Sequence, residues 1–214
     1  MKEQIIIVGA GGHARSVMDI LIENQEYDIV GCLDPVCSVR DCVEYMEDVP
    51  IIGDDSAMES YYHQGITNIF IALGDNALRK KVSYQAEQLG YHRINVISRY
   101  ARISSRASLG SGICVMAGAV INVNCQIGDG CIINTNCSLD HDCRVGDYSH
   151  IAPGVAISGT TIVGEGVHIG TNSAVIDGIT IGDWSYIGAG AAVVNNIDSH
   201  IMAYGVPAAS IREI

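Results

Sequence analysis

Counting in sixes from Ile103 gives Leu109, Val115, Ile121, Ile127, Ile133, Leu139, Val145, Ile151, Ile157, Val163, Ile169, Val175, Ile181, Ile187 and Val193, an aliphatic residue at every step. The residue after the anchor is often glycine: Gly110, Gly128, Gly146, Gly164, Gly170, Gly182 and Gly188. The residue four after it is usually small: Ala107, Ala119, Ser149, Thr161, Ser173, Ser185 and Ala191. A period of six suits neither an α-helix nor a stack of hairpins. It predicts a β-solenoid of short strands and turns in which each anchor points inward. Glycine beside each corner would permit backbone angles that other residues avoid. A triangular cross-section needs eighteen residues per coil, so half of this chain makes a little over five coils, stacked at about 4.8 Å.

That geometry decides how the cysteines are read. Cys125, Cys131, Cys137 and Cys143 all fall in the small-residue slot. Consecutive members lie on different sides of the triangle and cannot converge on one metal ion. Only Cys125 and Cys143 should stack, and reduced thiols packed as small hydrophobes are the expectation. The chain has eight cysteines in 214 residues, enough length to build a core without disulfide staples. The opening MKEQIIIVGAGGHARS has an apolar run too short for a signal sequence or a membrane span, so a cytoplasmic protein with no membrane partner is expected. A net charge of -12 argues against a nucleic-acid partner.

The first third has a different rhythm. The stretch 5-IIIVGAGGHARSVMDIL-21 reads as a strand, a glycine turn and an amphipathic helix, and Gly9, Gly11 and Ala14 fit G-x-G-x-x-G/A, which brings a helix N-terminus close to a phosphate. A second strand, 29-IVGCLD-34, ends in an acid. A third, 69-IFIALGDN-76, is followed by a helix from about Ala77 to Leu89 and by a strand at 94-INVI-97. The pattern predicts a small Rossmann-like α/β domain of parallel strands. Its ligand would lie at the strand C-termini, beside Gly11, Gly12, His13, Asp34, Pro35 and Gly74. At under 100 residues, the domain is about half of a full dinucleotide fold, which makes an NAD(P) site the weaker reading.

One hexad breaks the repeat. Asp140, His141 and Asp142 stand where a corner usually has glycine and small residues. A solvated charged corner would explain them, and so would a general base. A neutral imidazole is well matched to removing a proton at neutral pH, and a neighbouring carboxylate would orient it. Successive strand side chains point to opposite faces, so Asp142 reaches His141 only if the chain turns there; Asp140 is the other partner to consider. His150 and His168 lie eighteen apart and should stack, but no third ligand recurs at that spacing, so no metal is expected.

The unbroken hexads, the α/β domain before them and the tail 205-GVPA-208 together resemble the PglD/NeuD-like sugar acyltransferases. The likeness covers nearly the whole chain, and its most specific pieces are 9-GAGGHA-14, 71-IALGDN-76, 139-LDHDC-143, 148-YSHIA-152 and 205-GVPA-208. The resemblance implies a Rossmann-like domain over 1–97, a left-handed parallel β-helix over 98–198 and a C-terminal tail over 199–214. It also implies a homotrimer with acetyl-CoA as co-substrate. By resemblance His141 is the base and Asp142 its support. His13, with Gly11, Gly12, Asp34, Pro35 and Gly74, holds a nucleotide sugar. His150, Thr171 and Ala189 hold acetyl-CoA, with Ala189 standing where the family has Gly. The function implied is N-acetylation of the 4-amino group of a UDP-linked 4-amino-4,6-dideoxy sugar for a bacterial surface glycan or glycoprotein. O-acetylation of a sialic- or legionaminic-type sugar, and a non-catalytic trimeric sugar-nucleotide-binding protein, are the alternatives. Either a backbone N–H or His150 would meet the oxyanion.

Overall fold

A computed structural model of the protein describes residues 2–35 and 49–214. The chain divides into two compact units, Met1–Val96 and Ile97–Ile214.

In the first unit, β1 (Glu3–Val8) leads into helix α1 (Gly12–Asn24) and then β2 (Tyr27–Leu33). Next come β3 (Ile51–Gly53), α2 (Met58–His63), β4 (Asn68–Ile71), α3 (Asn76–Gln88) and β5 (His92–Arg93). The strands lie in the order β3-β2-β1-β4-β5 and every pairing is parallel. Ile5, Ile6, Ile7 and Val8 are all buried because a central parallel strand has both faces covered. Helix α1 buries Ala14, Val17, Met18 and Leu21, the three- and four-residue spacing of one helical face.

Three features differ from the sequence expectation. Strand β3 and helix α2 were not anticipated, since three residues and six residues carry too little periodicity to stand out. The expected strand over 94–97 is not the last strand of this sheet. That place belongs to His92–Arg93, and Val96–Ile97 instead joins one face of the solenoid. Its apolar residues suit either environment, and only the register distinguishes them.

The second unit is a parallel β-helix of two-residue strands. Three sheets form its faces, and each strand pairs with the strand eighteen residues away: Val120 with Ser138, Gln126 with Arg144, Ile132 with His150. The anchors from Val115 to Val193 are buried. Ile103 and Leu109 are only partly so: their strands end their sheets, and they lack the cover that Ile197 and the tail give the strands at the other end. The tail continues one face: Ile201–Tyr204 pairs parallel with Tyr186–Ile187, and Ala209–Glu213 folds back antiparallel on it.

The corners correct the expectation about glycine. The left-handed residue is the one three after the anchor, occupied by Gly118, Asn124, Gly130, Asn136, Asp142 and their equivalents. Glycine directly after the anchor answers a different constraint. A Cβ on Gly146 would lie 2.6 Å from the backbone nitrogen of Glu165 in the next coil. These glycines are there for coil-on-coil approach, not for a special φ.

The small-residue slot is also more than filler. Cys125, Cys131, Cys137 and Cys143 donate their thiols to the carbonyls of Asp140, Gly146, Ala152 and Ser158, at 2.9, 3.1, 3.0 and 3.2 Å. Ser149 and Ser173 do the same with their hydroxyls, to Gly164 and Gly188. Each tethers the corner fifteen residues on and gives its carbonyl a side-chain donor from the preceding coil.

Candidate active site

His141 sits at a solenoid corner with its side chain 52% exposed, and Asp142 follows in the left-handed conformation at φ 60°. Aspartate tolerates that conformation better than most residues. The turn swings its carboxylate back, so that Asp142 Oδ2 lies 2.8 Å from His141 Nδ1. Adjacent side chains that diverge on a strand therefore meet here. Asp140 takes a different part: its Oδ1 accepts the backbone N–H of His141 at 2.8 Å. The hydrogen bond to Asp142 is the main cause of the raised His141 pKa, and Asp140 adds to it. With Nδ1 held by the carboxylate, Nε2 is the nitrogen available to take a proton.

Two neighbours of this pair lie one coil away on either side. Asn124, eighteen residues before Asp142, places Nδ2 3.0 Å from Asp142 Oδ1. Gly159, eighteen residues after His141, lies against the imidazole; a Cβ there would be 2.6 Å from Cε1 and 2.7 Å from Nε2. Neither was singled out from the sequence, although the eighteen-residue step alone points to both.

His150 and His168 are paired in register, with ring centroids 4.8 Å apart, and Tyr186 stacks on His168 at 4.5 Å. Asn134 Nδ2 lies 3.1 Å from His150 Nε2. The Asn134 carbonyl oxygen already accepts the Thr135 N–H at 2.8 Å, so the amide presents its N–H to the ring. That orientation assigns His150 Nε2 the acceptor role. Thr171 and Ala189 occupy one corner of successive coils, and both are exposed. Gly190 N–H donates to Thr171 O at 2.8 Å.

In the α/β unit, Gly11, Gly12, His13, Asp34, Pro35 and Gly74 all lie just beyond the C-terminal ends of β1, β2 and β4, which are adjacent in the sheet. A Cβ on Gly11, Gly12 or Gly74 would meet nothing within 4 Å, so backbone there faces open space. Gly9 differs: its φ is 109°, and a Cβ would be 2.8 Å from Ala72 O, so it makes the turn itself. Asp34 Oδ2 accepts the Ala10 N–H at 2.8 Å and ties the end of β2 to that turn. His13 is partly buried and its Nε2 is enclosed without a hydrogen-bond partner. Burial, helped by the nearby Arg79 guanidinium, lowers its pKa to about 4. Arg79 is 1% exposed and donates to the carbonyls of Leu73 and Gly74 at 2.9 and 3.2 Å, bracing the Gly74 loop. Nothing in the local sequence marks it, because the contact is made from the first turns of α3.

Residues 4–86 match the PglD N-terminal domain, and residues 124–159 and 160–195 match the six-repeat bacterial transferase hexapeptide family. A histidine variant of perosamine N-acetyltransferase from Caulobacter crescentus, solved with CoA and GDP-perosamine, is 37% identical. The match covers 98% of this chain and 97% of that one at a TM-score of 0.93. The acetyltransferase domain of PglB from Neisseria gonorrhoeae FA1090, solved with acetyl coenzyme A, is 32% identical over 99% of this chain and 100% of that one, with a TM-score of 0.91. An uncharacterised protein of Acanthamoeba polyphaga mimivirus is 33% identical over 125 residues, which are 58% of this chain and 24% of that protein; the chain thus spans about a quarter of the curated relative it matches. The solenoid is accordingly the left-handed parallel β-helix of hexapeptide-repeat transferases. With both halves matched in order and solved chains above 30% identity covered almost end to end, the chain belongs to the PglD/NeuD-like family of acetyl-CoA-dependent sugar acyltransferases.

Proposed function

We propose that the protein transfers the acetyl group of acetyl-CoA to the 4-amino group of a nucleotide-linked 4-amino-4,6-dideoxy sugar destined for a bacterial surface glycan or glycoprotein. The observation that carries this reading is the His141–Asp142 pair, closed at 2.8 Å and leaving Nε2 of a half-exposed ring available. Amide formation needs a base at the moment the amine adds to the thioester carbonyl. His141 Nε2 takes that proton, and Asp142 stabilises the imidazolium that results. The thioester supplies the activated acyl group and the thiol leaving group. His150, with its Nε2 engaged by Asn134, joins Thr171 and Ala189 in holding the cofactor. The open backbone at Gly11, Gly12 and Gly74 and the enclosed His13 Nε2 fit a nucleotide sugar at the strand ends. UDP is the nucleotide the sequence reading favours, and the likeness to an enzyme solved with GDP-perosamine supports GDP as a second candidate. The working assembly is a homotrimer, and both co-substrates place it in the cytoplasm. Among the described residues, no helix is long and apolar enough to cross a membrane.

Turnover with acetyl-CoA and either GDP-perosamine or a UDP-4-amino-4,6-dideoxy sugar tests the reading. His141→Ala should lower kcat by about 10²–10⁴-fold, the usual worth of a general base. Unchanged kcat would remove His141 from the mechanism. Acetylation of a hydroxyl on a nonulosonate, with no turnover of either amine, would replace the acceptor.

A further inference from the structure

We infer that Asn124 is a positioning residue that locks the Asp142 carboxylate with one oxygen on His141. Asn124 and Asp142 occupy equivalent corners of successive coils, three residues after the anchors Ile121 and Leu139, and both have φ 60°. Asn124 Nδ2 lies 3.0 Å from Asp142 Oδ1, while Oδ2 is 2.8 Å from His141 Nδ1. An ionised carboxylate can only accept, so the amide must present its N–H₂ end. Each carboxylate oxygen therefore has its own donor, one from each coil, and the plane of the group is fixed.

The lock matters because the pair is exposed. Asp142 and His141 keep 47% and 52% of their side-chain surface in solvent. A single exposed carboxylate–imidazole contact is weak, since water competes for it and both side chains rotate. A second donor on a neighbouring rigid coil removes the rotation, as outer partners do for metal-bound histidines. The electrostatics run the same way: the hydrogen bond from Asn124 is the leading cause of the lowered Asp142 pKa. The titratable groups facing His141 are the Asp142 and Asp140 carboxylates and the Cys125 thiol, and Gly159 on the coil above brings none.

The inference rests on His141 as the base, and the test separates the two. Asn124→Gly suits φ 60° and deletes only the amide; Asn124→Asp keeps the shape and sets a like charge against Asp142. The Gly variant should lose roughly 3–10-fold in kcat, as expected for one hydrogen bond, and the Asp variant more, with KM for acetyl-CoA unchanged. In Asn124→Gly the acidic limb of the pH profile should move to lower pH. In an Asp142→Asn background the Gly substitution should change kcat by less than about twofold, because coupling vanishes when the shared partner is gone. Without substrate, the NMR titration midpoint of His141 should fall in Asn124→Gly. An unmoved midpoint and kcat in both variants, or an equal loss with and without Asp142, would overturn the inference. Full activity of His141→Ala would instead overturn the base, while the NMR midpoint would still report whether Asn124 holds Asp142.

Discussion

The α/β unit and the solenoid each set a histidine at a turn, and the two histidines shift in opposite directions. His13 is lowered to about 4 by enclosure and by a buried arginine, whereas His141 is raised by a carboxylate on an open corner. The first environment keeps an imidazole neutral, suited to recognition. The second makes it a better proton acceptor. The difference comes from architecture. A parallel sheet gathers strand ends and a helix N-terminus around one spot and can enclose a single ring nitrogen there, as at His13 Nε2. A solenoid corner stays wet, and it can tune a side chain only through the coils above and below.

The largest test of that division is mechanical. Ile6 in β1 and Ile133 in the solenoid are both 0% exposed. Truncating either to alanine should cost about 2–5 kcal/mol, by lost burial plus a cavity. If the two units are separate cores, calorimetry should show Ile6→Ala lowering one transition and Ile133→Ala the other. A single transition lowered equally by both would merge the two regions energetically.

Acid sharpens the contrast. The folded pKa of His13 lies below its unfolded value of 6.5, so the unfolded chain binds more protons between about 6.5 and 4. Stability of the α/β unit should fall as pH drops through that window, by up to about 3 kcal/mol before solvent screening of a partly exposed ring is discounted. His141 has the opposite sign: its folded pKa is raised, so its contribution is full below 6.5 and is lost as pH rises through the folded value. Denaturant titrations at pH 4.5, 6 and 8 check the first. With His141 as the proposed base, kcat should decline on the acid side at a midpoint above about 6.5, because that base must be neutral.

What could be read from the sequence divides along the same line. In the solenoid, a fixed period turns spacing into contact. The three faces, the stacking of His150 on His168 and the turn at the broken hexad follow from counting in eighteens. Counting alone left open which corner residue is left-handed, and so whether Asp142 or Asp140 reaches the ring; the family resemblance is what named Asp142, and the 2.8 Å contact agrees with it. In the α/β unit, the glycine turn and the strand ends were legible, since Gly9 and the apolar runs are local signals. The Asp34 carboxylate on Ala10 N–H joins elements brought together by a crossover, and Arg79, only five residues after Gly74, turns back under that loop from α3; no apolar period or turn motif announces either. Strand β3 and helix α2 were too short to show a period.

The smallest effect isolates the wet corner from its scaffold. Gly159 is not in the left-handed region, so alanine fits its backbone, yet the new Cβ would lie 2.7 Å from His141 Nε2. The ring is half exposed and can swing outward, so Gly159→Ala should change stability by less than about 1 kcal/mol, within the range of an ordinary single substitution. The swing moves the proton-accepting nitrogen, and a displaced base costs rate steeply; about tenfold in kcat, or roughly 1.4 kcal/mol, is expected with KM little changed. Steady-state kinetics beside a thermal melt measures both. A tenfold loss at constant Tm would show that the coil above the base contributes only the absence of a side chain. An unchanged kcat would mean that Nε2 works from a position other than the one over Gly159, and that the open corner tolerates movement the α/β unit does not.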